Sequence, residues 1–249
     1  GEVTGGGARA RAVAARIAAD KRAYLDEWLA HDPQGRVNPA RFFAALRRQL
    51  PDDAIVVADD GNHTFLVAEL MQLRAPRSFF SPSDFNSMGY CVPGVIGAKL
   101  AQPGRVVVGI VGDGAARMTG LEMASAVAQG LGVVWFVFAD GELAQIAQAQ
   151  AAPYNRKTCT VLPELDLEGL ARASRVDYLR MDGDAAIDAC VQKALATAAG
   201  GRSVLVDVRI DYSKRTRFTE GTIKTNLARF DLGNKARLVG RALWRRFTG

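Results

Sequence analysis

The chain has 249 residues, of which 49% are hydrophobic and 23% charged, a composition that excludes disordered and fibrous proteins. The longest apolar runs, Val106–Val111 and Val133–Ala139, are far shorter than the roughly 20 residues that a membrane-spanning helix needs. We expect no signal peptide, because the first residues lack the order of charged, apolar and small residues that such peptides have. Three widely spaced cysteines fit neither a disulfide framework nor a metal knuckle, so we expect a reducing, cytoplasmic setting.

The net charge of +6 is concentrated at the C-terminal end of the chain. Residues 213–249 hold ten Lys and Arg residues against two acidic ones, and the remaining residues sum to a slightly negative charge. A nucleic-acid-binding surface would place the basic residues on the folded body. We therefore expect no nucleic-acid partner.

The pattern along the chain begins with a linker and a helical lead-in over residues 1–35, rich in Ala and Arg. Asn38 before Pro39 predicts a capped helix start, with the helix running through Leu50. Further helices are predicted over 64–73, 92–101, 122–130, 167–174 and 185–199. Buried strands are predicted over 54–58, 105–111, 133–139 and 203–208, with a shorter one at Phe79–Phe80.

Apolar strands that alternate with helices predict an α/β fold, a parallel sheet with helices on both faces. We assign residues 36–212 to this domain and residues 213–249 to a basic tail. In such a sheet, ligands bind at the carboxyl ends of the strands.

Three predicted strands end in polar residues, which makes those ends the candidate site. The segments are Asp59–His63, Gly112–Gly114 and Asp140–Glu142, and Asp113 and Asp140 are 27 residues apart. Glycines allow backbone N–H groups to approach a phosphate, and two carboxylates could hold Mg²⁺ against it. A Gly-Asp-Gly turn and a strand-end Asp are also common structural features, so the residues alone leave both interpretations open.

Longer stretches resemble a known family. Ile110–Ala115, Met118–Glu122 and Ala139–Gly141 resemble the thiamine diphosphate signature, in which Gly-Asp-Gly is followed after about 27 residues by an Asn. Met88–Ala98 and Val57–His63 resemble two further stretches of the acetolactate synthase-like family. The resemblance spans residues 36–212 and covers only the domain that binds the cofactor's diphosphate, called the PP domain.

The resemblance implies a thiamine diphosphate-binding fold with thiamine diphosphate and Mg²⁺ as cofactors. Asp113, Asp140 and the backbone carbonyl of Glu142 match the metal ligands, and Met88 matches the apolar wedge that bends the cofactor. Gly114 and Ala115 match residues whose N–H groups face the diphosphate. The implied cofactor-binding residues are Asn62, His63, Met88, Gly112, Asp113, Gly114, Ala115, Asp140, Glu142 and Ile146.

The family's catalytic glutamate lies in a separate pyrimidine-binding domain, the Pyr domain, and nothing before residue 36 resembles one. The resemblance therefore implies no catalytic residue in this chain, and a partner subunit that carries the Pyr domain. We expect a hetero-oligomer, a heterotetramer in the simplest case, that decarboxylates a small 2-oxo acid and releases or ligates the product.

Two positions depart from the family pattern. Asp140 stands where the family has Asn, and it remains an oxygen donor for Mg²⁺. Ala149 stands where acetolactate synthases have a bulky Trp, and Gln145 stands where they have a Met. We assign Gln145 and Ala149 to the substrate pocket and expect it to accept something larger than pyruvate.

Two other functions and two roles for the tail stay open. A 2-hydroxyacyl-CoA lyase uses the same cofactor chemistry, and a regulatory module could keep the fold without catalysis. The tail predicts an amphipathic helix over Asn234–Phe247, which could lie on an anionic membrane or cover a partner or the active site. We favour the lid or partner role over membrane association.

Overall fold

Six parallel strands form one sheet in the structure, a computed structural model that describes residues 6–154 and 156–248. The strands are β1 (Ile55–Ala58), β2 (Phe79–Phe80), β3 (Val107–Gly112), β4 (Val134–Phe138), β5 (Asp177–Met181) and β6 (Val204–Val208). They lie in the order β2-β1-β3-β4-β6-β5, and every pair is parallel. The predicted α/β fold with a parallel sheet is confirmed.

Helices connect the strands and extend the chain at both ends. They are α1 (Gly6–Leu29), α2 (Pro39–Gln49), α3 (Asn62–Leu70), α4 (Cys91–Ala101), α5 (Asp113–Thr119), α6 (Met123–Ala128), α7 (Ala144–Tyr154), α8 (Leu167–Ser174), α9 (Ile187–Ala199), α10 (Arg217–Arg229) and α11 (Leu232–Thr248). Two single-turn 3-10 helices lie at Gly120–Glu122 and Asp184–Ala186.

Each face of the sheet has its own apolar core. Alternate strand residues point to opposite faces, so Val56 and Phe136 lie in one core and Val57 and Trp135 in the other. Residues of α2, α3 and α9 cover the first face, and residues of α4, α5, α6 and α8 cover the second. The sheet is therefore buried on both sides, as continuous apolar strands predict.

The strand order places a crevice beside β1. The chain leaves β1 for β2 on one side and returns to β3 on the other, so the connections diverge between β1 and β3. At such a switch point the strand ends open into a binding crevice. The residues that follow β1 and β3 are the polar segments that the sequence singled out.

The segment before residue 36 contributes to the domain core, although the sequence assigns it to a lead-in. Trp28 is fully buried. Asn38 Oδ1 accepts from the Ala40 N–H at 2.9 Å, which confirms the predicted cap, and Asn38 Nδ2 donates to the Trp28 carbonyl at 2.8 Å. His31, to which the sequence gives no role, pairs with Asp211 at 2.7 Å. The end of α1 is thus fixed to α2 and to the segment after β6.

Several elements differ from the sequence prediction. Strand β5 and helices α5 and α10 were not predicted, and α3 begins at Asn62 rather than at Thr64 and ends at Leu70. The predicted tail helix is confirmed as α11. In the described part of the chain, no helix has the length and apolar character that crossing a membrane requires.

Candidate functional site

The carboxyl ends of β1, β3 and β4 meet at one pocket. Of the residues that the sequence assigns to the site, eleven line this pocket: Asn62, His63, Met88, Gly112, Asp113, Gly114, Ala115, Asp140, Glu142, Gln145 and Ile146. Ala149 does not line it and is exposed on α7. The pocket also contains Asp60 and Gly61, from the predicted segment Asp59–His63, and four residues that sequence reasoning left out: Phe138, Leu143, Ala144 and Tyr212.

Asp113 joins the ends of β3 and β4. Its Oδ1 accepts from the Gly114 N–H and its Oδ2 accepts from the Gly141 N–H, both at 2.8 Å. The Gly141 backbone has φ 74°, a left-handed turn that favours glycine. Burial raises the pKa of Asp113, while these two N–H groups oppose the shift. In this structure the Gly114 N–H is therefore already engaged by Asp113.

Asp140 lies close enough to Asp113 for the two charges to interact. Burial, with the charge of Asp113 next, raises the pKa of Asp140 to about 7. Two neighbouring buried carboxylates are unfavourable unless a proton or a cation compensates their charge. A divalent cation at this place would supply that compensation, because oxygen ligands suit Mg²⁺.

The side chain of Glu142 points to other partners. Its Oε2 contacts Lys157 Nζ at 2.7 Å and its Oε1 accepts from Thr160 Oγ1 at 3.1 Å. Among the described residues, no cluster of three or more His, Cys, Asp and Glu side chains could hold a metal ion. The donors that fit a cation here are thus the carboxylates of Asp113 and Asp140 with a backbone carbonyl such as that of Glu142.

Gly112 and Gly114 lie close to side chains that line the pocket. A Cβ on Gly112 would come within 2.9 Å of His63 Cε1, and a Cβ on Gly114 within 2.8 Å of Leu143 Cδ2 and 3.1 Å of Met88 Cε. A side chain at either position would therefore force His63 or Leu143 to shift, and both of these residues line the pocket. The close approach of backbone to ligand that the Gly-Asp-Gly segment predicts is consistent with this geometry.

Asn62 and His63 place unpaired polar atoms beside the pocket. Asn62 Oδ1 and His63 Nε2 are buried and have no hydrogen-bond partner among the described residues. Burial lowers the pKa of His63 to about 4, so the ring is neutral at pH 7. Buried polar atoms without partners are rare in folded proteins, and a ligand in the pocket would provide the missing partners.

Asp59 holds the segment that carries Met88. It is fully buried at the end of β1, and its carboxylate accepts from the N–H groups of Gly89 at 2.9 Å and Cys91 at 2.7 Å. Burial raises the pKa of Asp59, and these N–H groups oppose the shift. Asp59 therefore fixes the start of α4, and Met88 with it, against the ends of β1 and β3. The sequence showed Asp59 only as one acidic residue after a strand.

Helix α7 forms the wall of the pocket beyond Asp140 and Glu142. Gln145 and Ile146, in its first turn, line the pocket. Ala149 lies four residues after Gln145, so the two share a helix face, and Ala149 lies further from the pocket. Helix α11 packs on α7, where the Arg245 guanidinium lies 4.9 Å from the centre of the Tyr154 ring.

The fold and this site together define a class of protein. A parallel α/β sheet with two carboxylates, glycine turns and unpaired polar atoms at its switch point has the features of a site for a phosphorylated ligand. Residues 59–208 match the family described as thiamine pyrophosphate enzyme, C-terminal TPP binding domain. This match covers more than half of the chain, and the chain belongs to that family.

Relatives carry names from several reaction types. A Mycobacterium tuberculosis protein provisionally named acetolactate synthase large subunit IlvB2 is 36% identical over 182 residues, 72% of this chain and 32% of that protein. Sulfoacetaldehyde acetyltransferase of Castellaniella defragrans is 30% identical, over 78% of this chain and 35% of that protein. 2-hydroxyacyl-CoA lyase 2 of Caenorhabditis elegans is 30% identical, over 76% and 30% respectively. The chain thus spans about a third of the length of these relatives.

Proposed function

We propose that this chain is the diphosphate- and Mg²⁺-binding part of a two-component, thiamine diphosphate-dependent 2-oxo acid decarboxylase or carboligase. Membership of the thiamine pyrophosphate enzyme family supports the cofactor. The observation that supports the metal is the proximity of two carboxylates at the switch point of the sheet, that of Asp113, which is buried, and that of Asp140, which is partly buried. The names of the relatives support carbon–carbon bond formation or cleavage as the reaction class.

The residues of this chain are proposed to bind and orient the cation and the cofactor. Asp113 and Asp140 would hold the cation, Asn62 and His63 would contact the diphosphate, and Met88 would support the cofactor from beneath. The bound cofactor supplies an electron sink for the bond that is broken or formed at the carbonyl carbon of the substrate. The chain's own contribution is therefore electrostatic compensation and geometry, both set before substrate arrives.

The Pyr domain is proposed to come from outside these residues, from a separate subunit or from further sequence. Exposed apolar side chains in the segments before Met88 and after Asp113 support a covering partner: Phe85 is 92% exposed, Met118 62% and Leu121 68%. Thr119, next to Met118, donates to the Gly89 carbonyl at 3.0 Å, which joins the segment after Asp113 to the segment that carries Met88. Large apolar side chains that are this exposed are candidates for a protein–protein contact.

The substrate pocket is proposed to lie between this site and the partner, with α7 as one wall. Gln145 and Ile146 line the pocket, and Ala149 continues the same helix toward the exposed side. We propose that the small side chain of Ala149 leaves room for an acceptor larger than pyruvate. The packing of α11 on α7 supports a role of the tail as a lid on this wall rather than as a membrane anchor.

A lyase that acts on 2-hydroxyacyl-CoA is the second candidate, favoured by the lyase among the relatives. A panel of substrates separates the candidates. The protein, with its Pyr domain, is assayed with 2-oxo acids, with pairs of 2-oxo acid and aldehyde, and with a 2-hydroxyacyl thioester. Turnover of the thioester alone would replace the carboligase proposal.

The binding test comes first. Thiamine diphosphate is titrated calorimetrically into the protein with Mg²⁺ and with EDTA. We expect binding that needs the metal. Failure to bind with Mg²⁺, by a protein that is folded and supplied with its Pyr domain, would contradict the proposed function and favour a module without catalysis.

A further inference from the structure

Tyr212 enters the pocket from a part of the chain that the site motifs do not include. It follows β6, and its ring packs edge-on against Phe138 with the ring centres 6.5 Å apart. It lines the same pocket as Asn62, Asp113 and Asp140. A residue from the far end of the domain thus lies beside the residues expected to hold the diphosphate and the metal.

The Tyr212 hydroxyl has no hydrogen-bond partner in the part of the chain that the structure describes. Other partly buried tyrosines differ: the Tyr24 hydroxyl donates to Glu69, and the Tyr178 hydroxyl donates to Asp207 at 3.1 Å. A phenol keeps its proton near neutral pH and is then a hydrogen-bond donor. Tyr212 therefore presents an unused donor in a pocket built for an anion.

Residues 211–218, which we call the strap, are fixed at both ends. At the start, Asp211 Oδ2 lies 2.7 Å from His31 Nε2, and the Asp211 N–H donates to the Val37 carbonyl at 3.0 Å. Asp211 and Val37 are both buried. Tyr212 is the next residue, so its backbone position follows directly from this anchor.

The end of the strap is anchored on α1 and α3. The Arg217 guanidinium bonds Glu27 at 2.9 Å and lies 4.2 Å from the centre of the Tyr24 ring. The Phe218 N–H donates to Glu69 at 2.8 Å, and the Phe218 ring stacks on Phe65 at 4.3 Å. The strap is thus held at two points, with Tyr212 directed into the pocket between them.

We propose that Tyr212 is a further cofactor-binding residue, whose hydroxyl donates a hydrogen bond to the diphosphate, and that the His31–Asp211 pair positions it. This inference rests on the proposed function, since it requires a diphosphate in the pocket. A neutral donor suits this place, because the carboxylates of Asp113 and Asp140 already compensate the charge of the cation. Hydrogen bonds to a charged acceptor are among the stronger ones that proteins make.

The test compares Tyr212→Phe with Tyr178→Phe, which removes the hydroxyl of a tyrosine outside the pocket. Calorimetry measures the affinity for thiamine diphosphate with Mg²⁺, and separately for inorganic pyrophosphate with Mg²⁺. We expect Tyr212→Phe to weaken both by about tenfold, and Tyr178→Phe to change neither by more than about twofold. Circular dichroism and thermal melts of each variant establish that it is folded.

The outcomes separate the inference from the function on which it rests. Unchanged affinity for both ligands in folded Tyr212→Phe, with tight binding by the wild type, would overturn the inference and leave the proposed function intact. Weaker binding of thiamine diphosphate with unchanged binding of pyrophosphate would also overturn it, because the contact would lie elsewhere on the cofactor. A folded wild-type protein that is supplied with its Pyr domain and still binds neither ligand would overturn both.

A double-mutant cycle tests the positioning role of His31. His31→Gln should weaken binding of thiamine diphosphate a few-fold in the wild type and have no further effect in the Tyr212→Phe background. That result would support action through Tyr212. Equal losses in both backgrounds, or no loss in the wild type, would contradict the positioning role, since a purely structural effect does not depend on the hydroxyl.

Discussion

Asp113 links metal binding to backbone structure, because its two oxygens accept from Gly114 and Gly141 at the ends of β3 and β4. We predict that Asp113→Ala abolishes Mg²⁺-dependent binding of thiamine diphosphate. The diphosphate would lose the cation that bridges it to the protein, and two backbone N–H groups would lose their acceptors, at a cost of about 1–3 kcal/mol in the free energy of unfolding. Calorimetry and urea denaturation measure the two effects.

Asp188→Ala is the matched control, since Asp188 is an exposed carboxylate that pairs with Arg48 far from the site. It should leave the affinity for the cofactor unchanged. Unchanged affinity in Asp113→Ala itself would remove the metal site from the proposal.

Asp140 is expected to destabilise the metal-free protein when it is ionised. Its pKa of about 7 exceeds the value near 4 of an unfolded chain, so the folded state binds the proton more tightly and stability falls as the pH rises from about 4 to 7. We predict that Asp140→Asn, at pH 8 in EDTA, raises the free energy of unfolding by roughly 1–2 kcal/mol. At pH 5 the difference should shrink, because the wild-type carboxyl is then largely protonated.

Denaturation curves at the two pH values check this, with binding of thiamine diphosphate measured alongside. Binding should change little, since Asn still offers an oxygen to the metal. A stability gain that is larger at pH 5 than at pH 8 would rule out repulsion between Asp140 and Asp113 as its cause.

Some residues of the site can be predicted from their immediate sequence neighbours, and others cannot. Asp113, Gly114 and Asp140 follow apolar strands directly, so strand ends and glycine turns predicted them. Tyr212 gave no such signal, because it reaches the pocket from beyond β6. Asp59 gave the strand-end signal but not its role, because it acts through N–H groups some thirty residues later. Their roles depend on which segments the fold brings together, and a single sequence does not contain that information.

Helix α7 is proposed to form one wall of the acceptor pocket. We predict that Ala149→Trp lowers kcat/KM for the native substrate by about tenfold or more and leaves binding of thiamine diphosphate unchanged, because it fills acceptor space along the wall that Gln145 begins. Steady-state kinetics with the preferred substrate pair and calorimetry with the cofactor are the measurements.

The control is Ala151→Trp, also exposed on α7 and two residues further, on a different side of the helix. Equal losses in both variants would indicate damage to the helix rather than to the pocket. Homocoupling of pyruvate as the best reaction of the wild type would contradict the inference of a larger acceptor.

The helices and strands that the sequence did not predict are those whose apolar residues show no regular spacing. Strand β5 lies at the edge of the sheet, and only Met181 of its five residues is buried, so it shows no apolar run. Helix α10 is held by contacts of Arg217 and Phe218 with α1 and α3. Strands β3, β4 and β6 are buried along almost their whole length and were predicted within a residue or two.

At the scale of the whole molecule, we propose that this chain binds the cofactor and that catalysis needs a further domain. We predict that the purified chain alone gives no turnover of 2-oxo acids. Activity should require a polypeptide with a Pyr domain, because the glutamate expected at the pyrimidine ring lies there. Decarboxylation by the chain, by the candidate partner and by their mixture is compared.

Activity that appears only in the mixture, and is lost when the partner's pyrimidine-facing Glu is changed to Gln, would support two components. Full activity of the chain alone would refute them. The exposed side chains of Phe85, Met118 and Leu121 give a second readout, since the amides near them should become protected from hydrogen exchange when the partner binds.

The unpaired atoms of Asn62 and His63, together with the neighbouring carboxylates of Asp113 and Asp140, bear on how fast the protein is degraded in a cell. Each of these features lowers the free energy of unfolding of the cofactor-free protein. Because the bound cofactor is proposed to supply the missing partners, it should stabilise the fold by mass action. A marginally stable empty form unfolds more often and is removed faster by proteases. The amount of this protein should therefore follow the supply of its vitamin, and starvation for thiamine should lower its abundance with no change in transcription.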